Sequence, residues 1–250
     1  MAMGFNSSLR IYLPTFDSLV RGFLKESGLR TEFSGVTTFG NSDEGSCDLM
    51  ASFQGLPQRP GSRKFASENV FITARLAGIV KSGQLHLTQY GTEIGYFRQT
   101  NASEPLCDLL PITGYHYDFD CDGKKFNHPV FHAQPKITAG DRYIGLKPNI
   151  THRNYPQQDE IRTIRIPTPQ MDIFSAIVMI LADHVALPED PNRKFGNFLE
   201  SFEKHMIKFD LDGIQKLVST PFFEANPHSV QCWYPKQAPK PQAVAGRARS

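Results

Sequence analysis

Five residues in one short stretch have the types and spacing to do chemistry together: His116, Asp118, Asp120, His128 and His132. Imidazole nitrogens and carboxylate oxygens hold divalent metals, and a metal so held activates water or polarises a phosphoryl oxygen. In that version His116, His128 and His132 are the ligands, with Asp118 or Asp120 as a further ligand or general base. The same groups also suit a metal-free acid–base mechanism, because imidazole titrates near neutrality and a carboxylate can orient it. Histidine and aspartate are, equally, ordinary residues on the polar side of a sheet whose other side is aromatic.

The element that must position them is a hairpin over 112–137. From Tyr115 the residues alternate, with Tyr115, Tyr117 and Phe119 on one side and His116, Asp118 and Asp120 on the other. A second alternating run places His128, Val130, His132 and Gln134 together, with Phe131 and Ala133 opposite. Asp122-Gly123 between them is a turn signal. Register decides which groups meet. The arrangement that gathers the aromatics on one buried face sets Asp120 across from His128, Asp118 across from Val130 and His116 across from His132. A two-residue turn at Asp122-Gly123 would set His116 across from Pro129 and send the side chains to the wrong faces.

The surrounding chain predicts an α+β fold: a mostly antiparallel sheet with an N-terminal helix and a C-terminal helical section packed on it. Helical periodicity covers 14–26, with Gly28 placed to end it. Strands are expected over 31–39, 47–53, 70–80 and 84–98, the last interrupted near Gly91, with Ser82-Gly83 turning between the final two. Residues 138–158 read as a long connection, and 161–166 as a short strand. Thr168 is placed as the N-cap, and Pro169 as the first residue, of a helix running to about 187 and apolar almost all round. Further helices are expected over 193–208 and 211–218. Residues 1–224 form one domain, its sheet part about 10–166 and its helical part 167–224. The basic, proline-containing end, 225–250, reads as a flexible tail.

Composition narrows the function classes. The 250 residues are 40% hydrophobic and carry a formal net charge of +2, so nothing global marks a nucleic-acid binder. Local basic groups are Arg59, Arg63 and Lys64 in one loop, Arg162 and Arg165 on the short strand, and Lys236, Lys240, Arg247 and Arg249 in the tail. Together they could meet phosphates or an acidic partner. Cys47, Cys107, Cys121 and Cys232 show no zinc spacing, and no secretory or membrane-spanning segment is legible. A cytoplasmic protein with reduced cysteines follows. No phosphate-binding glycine loop, dinucleotide fingerprint or hydrolase nucleophile elbow is present, so the sequence implies no organic cofactor.

The run Tyr115-His116-Tyr117-Asp118-Phe119-Asp120, then His128-Pro129-Val130-Phe131-His132, then Arg165-Ile166-Pro167 before an apolar helix, resembles small uncharacterised bacterial families, some of them encoded in phage-defence or toxin–antitoxin loci. The resemblance covers about the middle quarter of the chain. It implies a cytoplasmic bacterial protein that works with the products of neighbouring genes. The first expectation is therefore a non-enzymatic accessory or adaptor subunit of a multiprotein assembly, of the antiviral kind. The alternatives are a metal-dependent phosphoesterase or nuclease built on the hairpin, and a non-catalytic module binding DNA or RNA.

Overall fold

A computed structural model describes residues 4–40, 43–58, 67–99, 109–119, 131–153, 166–168, 171–187, 192–205 and 207–209. The fold is α+β as expected, built on one mostly antiparallel sheet.

Helix α1 (Phe5–Ser27) begins nine residues before the expected start and runs through Pro14. Proline inside a helix costs about 3 kcal/mol through a lost hydrogen bond and a clash. Upstream of it, Phe5, Leu9 and Leu13 are buried, each contributing about 1.5–3 kcal/mol. Burial wins, and the apolar stripe continues unbroken to Leu24. Gly28, at φ 72°, closes the helix with its N–H on Lys25 O, as its position predicted.

The expected first strand divides into β1 (Glu32–Phe33) and β2 (Thr37–Phe39), because Gly35 between them takes φ 83°. Strand β3 (Ser46–Pro57) pairs with both. Strands β4 (Ser67–Lys81) and β5 (Gln84–Arg98) are joined by Ser82 and Gly83, both at positive φ. That is the geometry of the tight hairpin turn these residues favour. Strand β5 is continuous through Gly91; its irregularity falls at Thr88, the extra residue where the register shifts opposite Ala77 and Gly78. Next come β6 (Leu110–Phe119), β7 (Phe131–Pro135), the short helix α2 (Asp141–Gly145) inside the expected connection, and β8 (Ile166–Pro167). The sheet order is β1-β3-β4-β5-β6-β7-β8.

Helix α3 (Ile173–His184) is buried as its all-round apolar sequence demands. Its N-cap is Asp172 and not Thr168: the Asp172 carboxylate accepts from Phe174 N at 2.9 Å and from Ser175 N at 3.3 Å. Helix α4 (Lys194–His205) stops short of 208, and Lys208–Phe209 form β9, parallel to β5. Helices α1, α3 and α4 share the main core with one face of the sheet. Phe16, fully buried, meets Phe174 at 4.9 Å and Phe202 at 5.9 Å between ring centroids, tying the three together. A smaller core on the other face joins Phe71, Phe97 and Leu109 to Tyr143 and Ile144. No helix among the described residues is long and apolar enough to cross a membrane. The expected helix over 211–218, the tail over 225–250, and the strand over 161–166 apart from Ile166 lie outside the described residues.

Candidate functional site

Strands β6 and β7 pair antiparallel as the alternation required, with a different partner for each group. Asp118 lies across from His132, His116 across from Gln134, and Phe119 across from Phe131. Relative to the expected pairing, β7 is displaced by two residues. An even displacement preserves the faces. Tyr117 and Ala133, paired with each other, belong to the main core, so His116, Asp118 and His132 turn to the opposite face. The core face fixed the parity, whereas the pairing partner depended on the length of the connection, which Asp122-Gly123 alone does not set.

On that opposite face polar side chains form a continuous chain across three strands. Nε2 of His132 lies 2.9 Å from Oδ1 of Asp118. Nε2 of His116 donates to Oδ2 of the same carboxylate at 3.1 Å. On the other side of the ring, Nδ1 of His116 is 3.7 Å from Oε1 of Glu93, which is its direct cross-strand neighbour on β5. Lys136 Nζ donates to that Glu93 oxygen and ends the chain. His132 is only 1% exposed, and its strand is flanked by β6 and β8. His116 is the more open imidazole, with 28% of its side chain exposed.

These contacts set the charge states. Burial alone would push His116 down, but the hydrogen bond to Asp118 and the nearby Glu93 carboxylate outweigh it and raise the imidazole to about 9. Burial works against Asp118 as well, yet His116 and His132 hold its carboxyl well below the usual range. Glu93 is drawn down to about 2, first by His116, then by Lys136 working against burial. Near neutrality the chain therefore contains a fixed imidazolium between two fixed carboxylates.

Two glycines place Lys136. Gly95 and Gly114 are cross-strand partners on β5 and β6. A Cβ on Gly95 would collide with Ala139 O, and one on Gly114 with Lys136 O. Their bare backbones let the 136–140 turn lie directly on the sheet, where Lys136 N donates to Gly114 O at 2.9 Å. Glu93 and Lys136 were not among the sequence candidates. The alternation of β5 puts Glu93 on the polar face, but only the β5–β6 register names His116 as its neighbour, and only the turn brings Lys136 back across the sheet.

Of the sequence candidates, His116, Asp118 and His132 converge. Asp120 and His128 lie outside the described residues, as do Arg59, Arg63, Lys64, Arg162, Arg165, Lys236, Lys240, Arg247 and Arg249. Among the described residues no group of three or more His, Cys, Asp or Glu side chains is arranged to hold a metal ion. His184 is buried, its Nδ1 2.8 Å from Pro57 O. His152 sits 3.3 Å from the Asp141 carboxylate.

Two surface clefts are lined by other parts of the chain. One of about 790 Å³ runs between α1 and β2. Another of about 600 Å³ lies between α1, the β4–β5 turn and the end of α4. Neither is lined by a member of the charge chain.

No protein-family model matches the sequence, and neither curated proteins nor solved structures give a match. Fold and site together define the class: an α+β protein carrying a His–Asp–His cluster on the sheet face away from its three longer helices.

Proposed function

We propose that this chain is a non-catalytic accessory subunit of a multiprotein assembly, of the bacterial antiviral kind that the sequence resemblance implies. One observation carries the reading: the members of the densest cluster of chemical groups face one another. His116 and His132 both direct Nε2 to Asp118, and Glu93 lies between His116 and Lys136. Such a chain ties β5, β6, β7 and the following turn to one another. A general base working near neutrality needs a pKa close to the operating pH, and an imidazole held at about 9 beside two carboxylates is tuned as an ion pair instead. The open clefts along α1 supply surface for a partner.

The test is size-exclusion chromatography with light scattering on untagged protein, alone and co-expressed with the proteins encoded beside it, with metal analysis of the same fractions. Recovery in a complex of higher mass and without stoichiometric metal is the expected result. A monomer that retains nothing would overturn the reading. A bound divalent metal whose loss accompanies loss of phosphodiester hydrolysis would replace it with the hydrolase alternative.

A further inference from the structure

The cleft between α1 and β2 has features that specify what it would hold. Its floor is apolar, formed by the buried side chains of Leu13 and Val36. Arg10 and Arg21, both exposed, line it from the same helix. Eleven positions apart in sequence, they stand about 16 Å from one another along the helix axis. Asp17, the carboxylate between them, is occupied within the protein, accepting from Val36 N at 2.9 Å. The facing wall is a strand edge. Among the described residues β2 pairs on one side only, with β3. Alternate residues of an antiparallel strand turn N–H and C=O away from their partner, so Thr37–Phe39 keep at least one such set outward.

We propose that this cleft receives an acidic segment of a partner protein in extended conformation, added as a strand beside β2 with its carboxylates on Arg10 and Arg21. The inference rests on the accessory-subunit reading and names the chemistry of the partner. Side chains four positions apart in an extended strand point the same way and stand about 13–14 Å from one another, a gap to about 16 Å that the long arginine side chains close. Two carboxylates at that spacing reach both guanidiniums while the backbone pairs with the open edge. A nucleic-acid strand fits less well. It carries charge at every nucleotide, which would set phosphates against Asp17 and the apolar floor, and it leaves the edge N–H and C=O without a backbone partner.

The experiment is selection from a random library of twelve-residue peptides displayed on phage, using the full-length chain as bait. Peptides with two acidic residues four positions apart in a β-prone run should be enriched. Synthetic copies should bind in fluorescence anisotropy and weaken as salt rises. Arg10→Glu and Arg21→Glu should each weaken binding about tenfold, with the far-UV circular dichroism of both variants unchanged. A twelve-residue oligothymidine should not displace the peptide. Enriched peptides without acidic excess, no enrichment, affinities indifferent to either charge reversal, or displacement by oligothymidine would each overturn the assignment. Co-expression separates the two levels. A partner complex that survives Arg10→Glu combined with Arg21→Glu removes this cleft and leaves the accessory role standing, whereas no complex with the native chain removes the role itself.

Discussion

Glu93, His116 and Asp118 stabilise one another's charged forms, and their shifts define a pH window for stability. His116 is raised from 6.5 to about 9 on folding. A raised imidazole contributes fully below its unfolded value, and the contribution is lost as pH climbs through the folded one. Glu93 is lowered from 4.5 to about 2, so its contribution is present above 4.5 and is lost as pH falls toward 2. Asp118, also lowered, acts in the same direction. The part of stability that this chain supplies is therefore greatest between about pH 4.5 and 6.5. Urea titrations followed by circular dichroism should show stability falling between pH 6.5 and 9, by on the order of 2 kcal/mol once solvent screening of a partly exposed ring is allowed for. His116→Gln should flatten that alkaline decline. A variant that keeps the native slope would show that His116 is not the titrating group.

At the scale of elements, the seat formed by Gly95 and Gly114 decides whether the 136–140 turn can lie on the sheet. Gly114→Ala puts a methyl group against Lys136 O and Ala139 Cβ. Neither backbone can yield without lifting the turn, and a cost of about 2–3 kcal/mol is expected. Hydrogen exchange should accelerate across 136–147 while β3 and β4 keep their protection. Gly22, with nothing within 4 Å of an added Cβ, is the counter-case. Inside α1, Gly22→Ala should stabilise by about 0.5–1 kcal/mol. If the two alanines had the same sign, close approach would not be the reason for Gly114.

For the molecule as a whole, three helices share one core with the sheet, and Phe16 stands where they meet. Phe16→Ala should cost about 3–5 kcal/mol and keep a single cooperative transition in urea. Two transitions would mean that the sheet and the helical part unfold separately. The arrangement also separates tasks by face. Helices α1, α3 and α4 cover one side of the sheet, the ion chain lies on the reverse side, and the cleft proposed for a partner opens at the outer edge beside β2.

The sequence by itself determined the α+β class, the core stripe of α1, the Ser82-Gly83 turn, and the common face of His116, Asp118 and His132. These are local properties, set by side-chain period and by the backbone freedom of single residues. Only the tertiary structure decided that Asp118 and not His116 meets His132, that Glu93 and Lys136 complete the chain, and that α1 runs through Pro14. Each of those outcomes turns on a contact between residues distant in sequence, where burial or register outweighs local preference, and no local period records such a contact.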